Sequence, residues 1–301
     1  LGVLDEEGGL MRKADLFTKR TIHSHRPAER VDTAVEALAL SIGEKARVDM
    51  TYMGKHTGKD EDTLFADLQG VVFLNPDYGE NGGEKYLPAD EYLSGNVRRK
   101  LAEVRAKAET EPQYLPNVEA LGKVQPVDLT ASEISVRLGA TWLNPEYVRQ
   151  FIFETLDTPR RVRWDIKVHY SQITGEWRIE GKSKDSYNVK AYSTYGTSRA
   201  SAYDIIESSL NLKDVRIFDY QYDPDGRRVA VLNKKETAIA QGKQELLKEA
   251  FAEWIWKDAE RREKICKAYN ILFNSNRPRE YDGRHINYSG MNREITLRKH
   301  Q

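Results

Sequence analysis

The residues with the best claim to chemistry are the stretch GEWRIEGKS at 175–183, two Asn-Pro dipeptides, and the pair His23 and His25. A phosphate-binding loop needs Gly, four residues, then Gly-Lys-Ser/Thr, because its backbone N–H groups must converge on one anion. Here five residues separate Gly175 from Gly181, and Trp177 and Ile179 alternate with Glu176, Arg178 and Glu180. That period belongs to a pleated strand, so the stretch is predicted to be part of a hairpin. VVFLNPDYG and WLNPEYV echo the Asn-Pro-Pro-Tyr loop that holds the exocyclic amine of a flipped adenine. Each lacks the second Pro, and neither follows a Gly-rich loop able to seat a methyl donor. Asn75-Pro76 is expected to open a turn, and Asn144-Pro145 to start a helix, where the missing N–H of proline costs nothing. Of potential metal ligands, only Glu29 lies near His23 and His25, which reads as a solvated basic arm. No His-Glu-x-x-His, Gly-x-Ser-x-Gly or close carboxylate pair in a Gly-framed loop occurs. The expectation is a chain with no catalysis, cofactor or metal of its own.

The elements around these residues fall into two modules. Residues 1–30 form a basic, extended arm, with six basic and two acidic side chains between positions 11 and 30. From Val31, the spacing of Ala34, Val35, Leu38 and Ile42 predicts a helix capped at Asp32 or Thr33. VDMTYMGKHTG and KDEDTLFADLQG predict two more helices, ending at Gly58 and Gly70, the second capped near Asp60. VVFLNP and EKYLPADEYL then read as two strands around the turn-rich DYGENGG. Three helices followed by a hairpin is the order of a winged helix-turn-helix. The basic helix NVRRKLAEVRAKAE closes this module, 31–112, and the Pro-punctuated stretch 113–127 reads as a linker.

The second module, 128–274, opens with predicted helices at TASEISVRLG and NPEYVRQFIFETL. RVRWDIKVHYSQITGEWRIEG is expected to give two strands, and NVKAYSTYG a third. A helix at SRASAYDIIESSLNL precedes a hairpin turned at Asp225-Gly226 and a long helical region from Lys234 to about Phe273. Residues 275–301 read as an extended tail. The fold class is α+β, a helical winged-helix-like module followed by a mostly antiparallel sheet packed with helices.

The 47 basic and 47 acidic side chains cancel, so any nucleic-acid surface must be a local patch. A groove-reading helix should carry Arg, Lys, Asn or Gln. KDEDTLFADLQ instead sets one Lys against Asp60, Glu61, Asp62 and Asp67, a face that phosphates would repel. The basic candidates lie elsewhere: Arg98, Arg99, Lys100 and Arg105 on the closing helix, and Arg161, Arg163, Lys167, Arg178, Lys182 and Lys184 in the second module. Between 159 and 190, eight Lys/Arg stand against four Asp/Glu, interleaved with Trp164, Tyr170, Trp177 and Tyr187. That mixture suits a nucleic-acid backbone with some base stacking, Trp177 being the ring named for it. The alternative is an ordinary sheet with aromatic core residues and a solvated basic face. The single Cys266 rules out an internal disulfide and fits a reducing cytoplasm. No apolar run approaches the ~20 residues of a membrane span.

The final stretch, YNILFNSNRPREYDGRHINYSGMNREITLRKHQ, resembles the run that leads into the motor of Swi/Snf-type helicases. The likeness is to the large methyltransferase–helicase proteins of phages and conjugative elements, and extends to KADLFTKRTI, ADEYLSGNVRRKL, SEISVRLGATWLNPEYV, YGTSRASAYDIIESSLNL and LNKKETAIAQGKQE. In that family a Leu-x-x-His-Gln sequence opens the motor, matched here by Leu297, His300 and Gln301. The resemblance implies that Gln301 would contact the adenine of ATP once a motor follows. It implies a place between an adenine-specific DNA methyltransferase domain and that motor, with S-adenosylmethionine and ATP with Mg serving those neighbours. The Gly-Lys-Thr loop, Asp-Glu-x-His box and methyl-donor motif are absent from these residues, so the expected role is a non-catalytic connector that positions DNA or the flanking enzyme lobes. A purely architectural or protein-docking module is the alternative.

Overall fold

The computed structural model describes residues 2–4, 10–13, 17, 30–79 and 83–280. Gln301, His23, His25 and most of the arm and tail lie outside them. The chain divides into two compact units, Leu1–Val127 with Ile271–Gln301, and Asp128–Asn270.

In the first unit, Gly2–Leu4 (β1) pairs antiparallel with Leu10–Lys13 (β2). Ala34–Lys45 (α1) begins at a capping box, in which the Thr33 hydroxyl accepts from Glu36 N–H and the Glu36 carboxylate accepts from Thr33 N–H. Ala34, Ala37, Leu38 and Ser41 share its buried face. Ser41 donates to the Arg47 carbonyl and accepts from Asp49 N–H, fixing the turn into Met50–Thr57 (α2). Gly58 ends α2 in the left-handed conformation at φ 76°. Asp60 caps Glu61–Asp67 (α3) by accepting from Thr63 N–H. Val72–Leu74 (β3) and Tyr86–Pro88 (β4) form an antiparallel hairpin. Successive residues of a strand point to opposite faces. Val72 therefore enters the α1–α3 core, with Met53, Leu64 and Leu68, while Phe73 enters a second core with Tyr92, Val97, Leu101 and Val104.

The second core is built by Ala89–Tyr92 (α4), Val97–Ala108 (α5) and Leu115–Lys123 (α6). Gly95–Asn96 (β5) leads into α5 and pairs with Asn276–Arg277. The stretch 113–127 is thus not an open linker. Tyr114 and Leu121 bury in this core, and Asn117 donates to the Leu74 carbonyl at 2.8 Å.

The second unit corrects two element predictions. Residues 130–139 hold no helix: a turn at 131–133, where the Thr130 N–H and hydroxyl both donate to Glu133, leads through extended chain to a second turn at 138–139. Ile134, Val136 and Leu138 bury at alternate positions, and that period of two favours extended chain over helix. Pro145–Thr155 (α7) follows, capped by Asn144. Lys167–Tyr170 (β6) and Trp177–Glu180 (β7) make the expected antiparallel hairpin. No third strand joins it: residues 190–194 form a π-helical turn that buries Ala191. The edge of β7 is taken by side chains of Ala202–Leu210 (α8) and its C-cap. Glu207 accepts from Ile179 N–H at 2.6 Å, and the Asn211 amide both accepts from Trp177 N–H and donates to its carbonyl, at 2.9 Å each. Phe218–Tyr222 (β8) and Arg228–Leu232 (β9) form a second hairpin, and Lys234–Lys257 (α9) and Ala259–Phe273 (α10) complete the unit. The core joins Phe151, Ile152, Ile166, Trp177, Tyr203, Ile205, Ile206, Leu247, Phe251 and Ile255. The architecture is α+β with small antiparallel sheets, each of two strands among the described residues.

Candidate nucleic-acid interface

The helix that a winged helix would lay in a groove is α3, and its surface is anionic. Glu61 accepts from Lys85 at 2.6 Å and from the Tyr86 hydroxyl at 2.8 Å, which holds its carboxyl below the ordinary range. Hydrogen bonds from Thr63 likewise hold Asp60 low. Asp67 pairs with Lys59 at 2.6 Å, and Asp62 is exposed. At the base of the β3–β4 loop, the buried Asn75 amide donates to the Glu84 carbonyl and its oxygen accepts from Asp77 N–H. This Asn-Pro pair therefore shapes the loop. Beside it, a cavity of about 390 Å³ is lined by Asp77, Glu84, Glu91 and Glu103, with Lys100 as the one basic residue of its lining. A phosphate would be repelled there.

The candidates on α5 divide by what their cations touch. Arg98 donates to the carbonyls of Asn274 and Pro126, at 2.8 and 2.9 Å. Lys100 donates to the carbonyls of Tyr92 and Ser94 at 2.9 Å, and burial lowers its pKa from the usual lysine value. Both tie the chain to itself, as does Lys107 on the Pro76 carbonyl. Arg99 faces solvent beside Glu103 at 3.5 Å, and Arg105 is exposed.

In the second unit, Trp177 is 3% exposed and packs on Tyr170, with ring centroids 4.9 Å apart. It is a core ring and cannot stack on a base, because its period-two position turns it inward. Arg163 is half-buried and occupied within the chain, donating to the Thr158 carbonyl with its guanidinium over Phe153. Lys182 sits between Asp204 and Glu207 at 2.9 Å each. Burial alone would lower its pKa, but the two carboxylates outweigh that and the net direction is up.

What remains outward is the other face of the β6–β7 hairpin. Lys167 and Glu180 are opposite one another, as are His169 and Arg178, and all four are exposed. His169 lies 3.7 Å from Glu180. Arg161 and Lys184 are exposed in the flanking 3-10 turns. Trp164 and Tyr187 are 85% and 93% exposed, so the two outer aromatics of this segment are the surface rings. Sequence alternation sorted Arg178 from Trp177 only once the inward face was known.

The sequence reading passed over the β8–β9 hairpin as a surface. Its pairs are Phe218 with Leu232, Tyr220 with Ala230, and Tyr222 with Arg228, and all six residues are exposed. The signal was present in the aromatics at every second position. Among the described residues, no group of three or more His, Cys, Asp or Glu is arranged to hold a metal, and no helix is long and apolar enough to cross a membrane.

Comparison with known families gives two matches. Residues 30–86, covering α1–α3 and most of the β3–β4 hairpin, match the family model described as "Probable helicase, winged helix domain". Residues 137–275 match the model of a domain of unknown function, DUF8437. No curated protein and no solved structure matches the chain.

Proposed function

We propose that the chain is a non-catalytic accessory region of a DNA helicase, gripping the sugar–phosphate backbone through its second unit and using its winged helix to dock protein. The observation that carries the reading is the match of residues 30–86 to the helicase winged-helix family. The anionic α3 supports a docking role for that module, since phosphates repel carboxylates at close range. Lys167 and Arg178 on the β6–β7 hairpin, with Arg161 and Lys184 in the flanking turns, are the exposed cations proposed to make that contact. In the finer form of this reading, the region connects an adenine-specific methyltransferase to a Swi/Snf-type motor. ATP with Mg and S-adenosylmethionine then belong to those neighbours, with Gln301 at the motor's threshold.

Fluorescence anisotropy with labelled duplex and single-stranded DNA tests the DNA contact. About three phosphate contacts give a slope of log affinity on log salt near −2.7, so affinity falls roughly 40-fold between ~50 and ~200 mM salt. No binding at low salt, or binding without salt dependence, overturns the proposal. A purely architectural reading is favoured by one observation: Arg98, Lys100, Lys107 and Lys182 are all occupied by carbonyls or carboxylates of the chain itself. It predicts no measurable affinity for either DNA.

A further inference from the structure

We propose that the β8–β9 hairpin is a stacking platform for single-stranded DNA, an inference that rests on the DNA contact proposed above and names the form of DNA engaged. The hairpin is anchored only at its base. There, Thr237 of α9 accepts from Ile217 N–H at 3.0 Å, Gln244 accepts from Val215 N–H, and Asn233 N–H donates to the Ile217 carbonyl at 2.8 Å. Arg199 adds bonds to Asp219 and to the Phe218 carbonyl, at 2.9 Å each. Val215 and Ile217 are buried, whereas every residue of β9, and all of β8 except the half-buried Asp219, is exposed. A two-stranded hairpin with neither face covered gains little from burial. The hydrophobic effect would normally place Phe, Tyr and Leu in a core, so a row of them in solvent marks a contact surface.

Cross-strand partners share a face, so Phe218, Tyr220 and Tyr222 line one side with Leu232, Ala230 and Arg228. The rings repeat at steps of about 6.8 Å, twice the ~3.4 Å rise of stacked nucleotides in one strand. Tyr222 is 75% exposed and Tyr220 57%. The Arg228 guanidinium lies 3.7 Å from the Tyr220 ring centroid, giving that face a cationic plate. No carboxylate lies on this side. Asp219 faces the other way and is held by Arg199 and Asn233, and the Asp223 carboxylate accepts from Arg227 N–H. Arg216, Arg227, Lys234 and Lys235 are exposed around the platform, against exposed Asp214 and Asp225. Aromatic rings with flanking cations suit unpaired bases on a phosphate backbone, whereas a duplex keeps its base faces stacked and out of reach. Rings for base faces and cations for phosphates match a single-stranded nucleic acid on both counts, which favours it as the occupant.

The test is anisotropy of the full chain with labelled oligothymidylate, spanning a site of ~4–16 nucleotides, and with a duplex of equal length. Tyr220→Ala/Tyr222→Ala is expected to weaken oligothymidylate binding by about tenfold or more, while Tyr220→Phe/Tyr222→Phe stays near the parent. Duplex affinity should stay within about twofold for both. Because the rings are exposed, far-UV circular dichroism and the thermal midpoint should be unchanged. If the alanine pair leaves oligothymidylate affinity intact while duplex binding persists, the platform is overturned and the accessory-region reading stands. If the alanine pair instead abolishes self-association in sedimentation without touching DNA affinity, the face is a protein interface and the platform is again overturned. If the parent chain binds neither DNA, both proposals fall together.

Discussion

The hairpins β6–β7 and β8–β9 belong to the same unit and use the same alternating code, yet only one builds the core. In β6–β7, Val168, Trp177 and Ile179 face inward, and α8 satisfies the outer edge of β7 through Glu207 and Asn211. In β8–β9, Phe218, Tyr220 and Tyr222 sit at the same alternating spacing but are exposed to solvent. The difference lies in what stands opposite. The first hairpin meets a helix whose side chains reach its backbone, while the second leaves the body after Ile217 and Asn233 close its base. Aromatic alternation therefore encodes a face, and packing decides whether that face stabilises the fold or meets a partner.

This contrast can be broken first at the rings. Trp177→Ala should cost about 3–5 kcal/mol in urea denaturation, because it empties a filled site in the core. Tyr222→Ala should change stability by less than about 0.5 kcal/mol. Equal costs would show that both hairpins are structural. The glycines give the next largest effect. Gly181 has φ 77°, and a Cβ there would lie 2.1 Å from the Asp165 carbonyl oxygen. Gly181→Ala should lose about 2–3 kcal/mol from combined strain and overlap. Gly226 in the β8–β9 turn has a similar φ of 74° and open space around it, so Gly226→Ala should lose only about 1 kcal/mol.

A smaller effect comes from pH. Burial would raise the Asp204 carboxyl, but hydrogen bonds from Ser201 and Lys182 outweigh it and hold the carboxyl below its ordinary 3.8. Its contribution is present above that value and is lost as pH falls through the lower folded value. Lys182 is shifted up from 10.5, so its contribution is complete below 10.5 and lost as pH rises through the folded value. The clamp beside β7 thus holds across the neutral range. Its loss should cost at most about 1 kcal/mol, since Asp204 is half exposed. Protection of the Trp177 and Ile179 amides, corrected for the intrinsic exchange rate at each pH, should fall in acid more in the parent than in Asp204→Asn, which lacks the titrating group. The smallest stability effect belongs to Lys167→Ala and Arg178→Ala, each within about 0.5 kcal/mol.

Helix starts were legible because their chemistry is local: Thr33, Asp60 and Asn144 each bond to an N–H within three residues. The turn at Asp225-Gly226 was legible for the same reason. The third strand was not, because the β7 edge is satisfied from residues 207 and 211, about thirty positions away. TASEISVRLG read as a helix, but the alternating Ile134, Val136 and Leu138 imposed an extended path. Among the site candidates, charge could be counted from sequence but its use could not. Arg98 and Lys100 read as a basic patch until the carbonyls of Asn274, Tyr92 and Ser94 were seen around them.

The most direct test of the central proposal, that DNA is gripped by the outward face of β6–β7, is the salt slope of duplex binding by Lys167→Ala/Arg178→Ala beside the parent chain. Loss of two phosphate contacts predicts a slope shallower by about 1.8, with duplex affinity weakened at low salt. An unchanged slope and affinity would contradict the assignment of DNA contact to that face.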